Sequence, residues 1–428
     1  MSESNWSEDA LNAIVQYHMK QLGRLPCQKT QHGRRNIPIV KRTRRPVSSV
    51  YKELGKHYFR RAYRMGYGTF RKLFRKIAPK LKEVRADKET NNYVPNGRIH
   101  STVVLASALR LFAGGSAFDL ATTYGISVSI ALKSLGLVID AINNTDSLTI
   151  QFPTDHQEQL KIAQDFQQKS TPGFAVCVGA LDGMLVWMEK PTDKECELSK
   201  VNSKKFHCAR KSKFGMNLQA LCDSKRRFLF CSIGFPGSSS DHLAWESCAF
   251  KRMVEKEGFL AAGLCIFGDN AYINSTYLAT PFTNATGTRD DYNFYHSQLR
   301  INIECAFGML TSRFGILRKA LPWNYGIAKI CGLVKCLCAL HNFLIDNKED
   351  KVPTCLAYDA FDLSMDGAFA VDAAARSELG RELVQIPNPL LHGGQHSDDH
   401  QRPRRAPAEN HRSYLHALIV EGDYRRPV

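Results

Sequence analysis

Three acidic residues stand where a folded backbone would end a buried run or turn a face toward a cleft. Asp182 lies in Ala180-Leu181-Asp182-Gly183-Met184-Leu185-Val186-Trp187, a carboxylate inside an otherwise apolar, strand-like run. Asp269 closes the short apolar run Leu264-Cys265-Ile266-Phe267-Gly268-Asp269-Asn270. Glu304 falls inside a helical pattern, Arg300-Ile301-Asn302-Ile303-Glu304-Cys305-Ala306-Phe307-Gly308, beside the apolar stripe Ile303, Phe307, Leu310 and Phe314. An ionised carboxylate in apolar surroundings is costly unless it is paired or binds a cation. Oxygen donors of this kind suit hard cations such as Mg²⁺ or Mn²⁺. Two such ions can polarise a phosphate oxygen, activate a water or a 3′-hydroxyl and stabilise the leaving oxyanion, which is what phosphodiester cleavage needs. Gly183, Gly268 and Gly308 leave room beside the acids. Each acid also has a plain reading: Asp182 as a strand-end turn residue, Asp269 as a helix cap, and Glu304 as the partner of Arg300 one turn earlier.

Asp241 is a fourth acid. Following Ser238-Ser239-Ser240 and preceding a helical pattern with Trp245, it reads either as the helix N-cap or as an auxiliary acid of the site. Lys204, Lys205, Arg210, Lys211 and Lys213 cluster just before a strand-like run. They read as contacts to a phosphate backbone, or equally as a solvated loop. A zinc site from Cys331, Cys336, Cys338 and His341 is disfavoured, because helical spacing points Cys336 away from Cys331 and Cys338.

The remaining chain points toward a polyanion. Of 428 residues, 58 are Lys or Arg and 41 Asp or Glu, a formal charge of +17. The segment 20–88 alone carries 22 Lys and Arg against three acids. Arg34-Arg35 and Lys41-Arg42-Thr43-Arg44-Arg45-Pro46 are clusters of the nuclear-localisation or phosphate-contact type, so the expected location is the nucleus, with the cytoplasm also open. The thirteen cysteines fall mostly in apolar runs and read as reduced core residues of an intracellular protein. The most apolar stretch, 327–345, contains Lys329, Lys335 and His341 and reads as a core helix, so no membrane partner is expected.

Four regions must position these residues. Residues 1–50 read as a basic arm without fixed structure, and 347–428 as a polar, mostly disordered tail with a helix near 414–420. Residues 51–150 read as a helical domain. Within it 51–81 is amphipathic, its aromatic residues interleaved with Arg and Lys. The stretch 98–144 gives three helices, broken at Gly114-Gly115 and at Gly125, with Ser127 opening the third. That is a helix-turn-helix outline, whose last helix offers Lys133, although a plain helical connector has the same pattern. Residues 151–346 read as a mixed α/β domain: strand 174–188, hairpin strands 214–222 and 228–234, helix 243–254, strand 264–267, and helices 296–314 and 327–345.

Six segments in order resemble the PIF/Harbinger-type DDE transposases and their domesticated nuclease relatives. They are Phe59-Arg-Arg-Ala-Tyr-Arg-Met-Gly-Tyr-Gly-Thr-Phe70, Gly179-Ala-Leu-Asp-Gly183, Phe214-Gly-Met-Asn-Leu-Gln-Ala-Leu-Cys-Asp223, Gly237-Ser-Ser-Ser-Asp241, Gly268-Asp-Asn-Ala-Tyr272 and Tyr295-His-Ser-Gln-Leu-Arg-Ile-Asn-Ile-Glu-Cys-Ala-Phe-Gly308, with Leu340-His-Asn-Phe343 after them. The resemblance implies an RNase H-like catalytic core with Asp182, Asp269 and Glu304 as its metal-binding catalytic triad, spaced 87 and then 35 positions apart. It implies cleavage at transposon ends, joining to target DNA, and work alongside a Myb-like DNA-binding partner protein. A homo-oligomer is compatible with it. Two rivals stand beside this expectation: a domesticated DNA-binding or chromatin protein that keeps the fold without transposition, and a nuclease acting on RNA or hybrids.

Overall fold

A computed structural model describes residues 42–88, 98–322, 326–349 and 411–427. Most of the basic arm, including Arg34-Arg35, and the tail segment 350–410 lie outside the described residues.

The chain first builds a helical unit: α1 (Val47–Tyr63), α2 (Tyr67–Lys88), α3 (Ser101–Phe112), α4 (Ala117–Tyr124) and α5 (Val128–Asn143). The amphipathic stretch expected as one helical face is two helices. They separate where Arg64 takes a left-handed conformation, with α1 itself kinked at Gly55. Ser116 and Ser127 cap α4 and α5 through their hydroxyls, and left-handed Gly125 ends α4, as their sequence positions anticipate. The two helices meet at a bend of 105°. The second basic cluster is not free. Arg42 and Arg44 donate to the carbonyls of Ile126 and Gly125, and a Cβ on Gly125 would strike the Thr43 carbonyl at 1.9 Å.

Next comes a six-stranded mixed sheet: β1 (Cys177–Trp187), β2 (His207–Cys208), β3 (Lys213–Cys222), β4 (Phe228–Pro236), β5 (Cys265–Phe267) and β6 (Leu278–Ala279). β1 is central. It pairs antiparallel with β3, which pairs antiparallel with β4 and β2, and parallel with β5, which pairs parallel with β6. Helices cover both faces: α6 (His156–Gln167), then, after α7 (Asp193–Ser199), which packs on the later helix 326–346, α8 (Asp241–Glu246), α9 (Ala249–Val254), α10 (Thr288–Arg313) and α11 (Gly326–Asp346), followed by α12 (His411–Glu421). Two-sided burial explains why the central strands read as apolar runs rather than alternating ones. Ala180, Cys222 and Phe267 face the core under α10 and α11. Leu181, Leu221 and Ile266 face a second core with Trp245 and Phe250 from α8 and α9.

Two expectations need correction. The helix expected at 243–254 is two short helices broken at Ser247 and Cys248. α10 begins at Thr288 rather than 296. The helix expected near 414–420 forms as α12 and is packed, with Leu415 and Ile419 fully buried and the Tyr295 hydroxyl donating to the Arg425 carbonyl.

α11 is long and apolar enough to cross a membrane, but it is a buried core helix lying against α5 and β4. It ties the helical unit to the sheet. Glu349 at its end accepts from the Gly66 amide and the Thr69 hydroxyl and pairs with Arg60 at 3.0 Å.

Candidate active site

β1 carries Asp182 opposite Ala220 of β3, on the face covered by α10. Its Oδ1 accepts the Gly183 amide at 2.8 Å. Burial pushes this carboxyl up to about 7, the Asp269 and Asp241 charges add to the rise, and Arg300 opposes it. Asp182 is not a strand-end turn residue but sits in the middle of β1, and Asp269 follows the end of β5, the parallel neighbour of β1, so the two aspartates lie at neighbouring register positions. Its carboxyl is also raised, first by burial, and Arg300 again favours the ionised form. Asp269 does not cap a helix. Its Oδ1 accepts the Ala271 amide at 2.9 Å in a turn.

Glu304 comes from α10. The stripe Ile303, Phe307 and Leu310 is buried against the sheet, as the sequence pattern anticipates, which leaves Glu304 on the edge with its side chain 47% exposed. The ion pair with Arg300 is formed, Nη1 to Oε1 at 2.5 Å. Among the described residues, no three Asp, Glu, His or Cys side chains are drawn together tightly enough to hold a metal ion as they stand. The donor set is nevertheless chemically suited to one. It is all carboxylate oxygen, and two of its members are half-buried, Asp182 within β1 and Asp269 just past β5.

Asp241 is not the N-cap. Ser240 caps α8 by accepting the Leu243 amide, and Asp241 is the first residue of the helix. Its Oδ1 accepts from Asn217 Nδ2 at 2.8 Å and from Gln219 Nε2 at 3.1 Å. Gln219 in turn accepts the Tyr272 hydroxyl at 2.7 Å, so a buried polar chain runs from the loop after Asp269 through β3 to Asp241. A Cβ on Gly183 would sit 1.9 Å from Asp241 Oδ1. Glycine at 183 therefore lets Asp241 press against the strand from the face opposite Asp182. The sequence reading assigned no role to Asn217, Gln219 or Tyr272. The signal was there: two amides at alternate positions in a strand whose other residues, Met216, Leu218 and Ala220, are apolar.

Lys204, Lys205, Arg210, Lys211 and Lys213 are all exposed, with Lys213 Nζ 4.1 Å from the centre of the Trp187 ring. The Lys205 carbonyl accepts the Ser238 amide, which joins this basic turn to the loop leading to Asp241. Lys133 is exposed on α5, remote in sequence from the acids. His341 does not act as a free ligand. Its Nε2 bonds the Arg226 carbonyl, its Nδ1 meets Arg313, and burial holds it neutral with a pKa near about 3.

Residues 181–342, the stretch spanning all three acids, match the family of the DDE superfamily endonucleases. This part of the chain is similar to the DDE superfamily endonuclease domain. A relative from Arabidopsis thaliana, Protein ALP1-like, is 24% identical over 259 residues, covering 58% of this chain and 61% of the relative. The chain thus spans about three-fifths of that relative's length. No solved structure matches it. The family match bears out the resemblance read from the motifs, and its limits enclose Asp182, Asp241, Asp269 and Glu304 together.

Proposed function

We propose that the chain is a divalent-metal-dependent DNA endonuclease of transposase type, which hydrolyses phosphodiester bonds at transposon ends and joins a presented 3′-hydroxyl to target DNA. One observation carries the reading. Asp182 in the middle of β1 and Asp269 just past its parallel neighbour β5 lie within electrostatic reach of each other, inside a segment that matches the DDE superfamily endonucleases. Asp182, Asp269 and Glu304 are the residues that would hold Mg²⁺ or Mn²⁺, with Asp241 auxiliary to them. The metal would supply charge stabilisation at the phosphate and activation of the attacking oxygen. The chain's own contribution is position. β1 and β5 fix the aspartates, the Tyr272–Gln219–Asn217 chain fixes Asp241, and the Asp182 carboxyl must release its proton before it can hold a cation.

The wider architecture supports the same reading. A central strand with an antiparallel hairpin on one side and short parallel strands on the other, under helices on both faces, fits an RNase H-like core. α4 and α5, capped by serines and bent by 105°, fit a helix-turn-helix in which Lys133 meets DNA. The turn carrying Lys204, Lys205, Arg210, Lys211 and Lys213 fits phosphate contact beside the acids. A nuclear location, a Myb-like partner protein and a homo-oligomer complete the proposal.

The second reading is a domesticated DNA-binding or chromatin protein that keeps the fold. The observation favouring it is that Glu304 is engaged by Arg300 and that, among the described residues, no three acids are drawn together as a metal site. Nicking of supercoiled plasmid in Mg²⁺ or Mn²⁺ separates the two. The nuclease reading expects nicking by the wild type, its loss in Asp182→Asn and Asp269→Asn, and a smaller loss in Glu304→Gln. Nicking that survives all three variants would sink the site, and DNA binding without cutting would establish the second reading.

A further inference from the structure

Arg300 lies one turn before Glu304 on α10, and its guanidinium is only 20% exposed. An ion pair of this i, i+4 kind, with one partner half in solvent, is worth little to the fold by itself. What distinguishes Arg300 is the reach of its charge. The same guanidinium that binds Glu304 also favours the ionised forms of Asp182 and Asp269, against the mutual repulsion of Asp182, Asp241 and Asp269. Several carboxylates gathered beside one another repel unless a positive charge sits among them.

We propose that Arg300 is the resident counter-cation of the acidic site: without metal it holds Glu304 and balances the two aspartates, and an entering divalent ion must take Glu304 from it to complete the donor set. The inference rests on the metal-dependent reading of Asp182, Asp269 and Glu304, and adds to it a competitor that sets the affinity. A fixed positive charge beside a cation site lowers the affinity of that site, so removing it strengthens metal binding. The same removal leaves the carboxylates of the metal-free protein uncompensated, so the fold weakens when metal is withheld. A residue that merely supported the helix would behave differently, since its loss would weaken the fold and the metal site together.

The test is Mn²⁺ binding to the full chain without DNA, followed by the spin-resonance signal of the free ion, with thermal unfolding in chelator and in Mn²⁺ measured in parallel. Arg300→Gln is expected to bind Mn²⁺ about tenfold more tightly than wild type, the factor for losing one modest competing interaction. It should melt at a lower temperature in chelator, with the gap to wild type closing in Mn²⁺. Arg300→Lys keeps the charge but not the planar fork, and should bind Mn²⁺ close to wild type. Asp182→Asn reports on the site itself. If wild type binds Mn²⁺ in a manner lost in Asp182→Asn, while Arg300→Gln binds equally or more weakly, the counter-cation inference fails and the metal site stands. If folded wild type and folded Arg300→Gln both bind none, the metal reading and the inference fall together. Binding that appears only in Arg300→Gln supports the inference.

Discussion

The strands and the helix edge hold their acids in different ways. Asp182 is half-buried in the middle of β1 and Asp269 half-buried just past β5, each accepting a backbone amide from its own segment, beside a sheet packed on both faces. Glu304 is on the rim of α10, about half in solvent, and paired with Arg300. A rotamer change swings the long, half-exposed Glu304 side chain furthest, whereas the aspartates are shorter and more buried side chains beside the sheet. The difference teaches that the candidate site has a fixed half and an adjustable half, and under the proposed metal-dependent reading cation entry would be a matter of the adjustable one.

That contrast can be broken most severely by removing the fixed half. Asp182→Asn and Asp269→Asn should each lower Mg²⁺-dependent nicking on the order of 10³-fold or more, since loss of one member of an interdependent set removes most of its work. Glu304→Gln should cost less. Equal losses for all three would erase the distinction drawn between strand and helix.

A smaller effect is expected at Gly183. An alanine there must push into Asp241 Oδ1 and Gln219 Nε2, which stand 1.9 Å and 2.7 Å from the position of its Cβ. Overpacking of this kind costs about 1–3 kcal/mol. Gly183→Ala should therefore lower stability by that amount in a denaturant titration, and adding Asp241→Ala should restore much of it. Additive losses in the double variant would mean that Asp241 does not press on the strand.

A further effect is in pH. Asp182 has its folded pKa raised from 3.8 to about 7, so the folded state holds this proton more tightly than the unfolded chain. Its contribution is fully present below about pH 4 and is lost as pH rises to about 7, up to roughly 4 kcal/mol for the whole shift. His296 and His341 act in the opposite direction. Burial lowers both to about 3, so their contribution is present above about 6.5 and is lost as pH falls. Subtracting the pH profile of Asp182→Asn from that of wild type, in chelator, isolates the aspartate. The difference should slope downward between pH 4 and 7, and a flat difference would mean that Asp182 is better solvated than its position on β1 indicates.

Much of this arrangement was legible in the residues. The strands stood out because two-sided burial makes them apolar runs bounded by turn residues, and α4 and α5 because Ser116, Gly125 and Ser127 do recognisable local work. α10 was read short because its first turns carry Asp290, Asp291, Tyr292 and Asn293, which anchor other segments rather than continue the apolar stripe. Asp291 bonds the Arg426 amide, and Asn293 bonds Phe282. The break between α8 and α9 had no Pro or Gly to mark it. Asp241 could not be placed from local pattern, because its partners Asn217 and Gln219 lie two strands earlier and meet it only through the sheet register. Arg300 was visible as a helical neighbour of Glu304, but its reach to both aspartates depends on how α10 lies across β1 and β5.

The most direct test of the central claim, that Asp182 and Asp269 hold a catalytic metal, is substitution of each by cysteine and assay of plasmid nicking in Mg²⁺ and in Mn²⁺. Thiolate is a poor partner for Mg²⁺ and a better one for the softer Mn²⁺. The account predicts that Asp182→Cys and Asp269→Cys lose nicking in Mg²⁺ and regain part of it in Mn²⁺, while Lys133→Cys, changed outside the site, shows no such switch. Nicking in Mg²⁺ at the wild-type rate by either variant would contradict the claim.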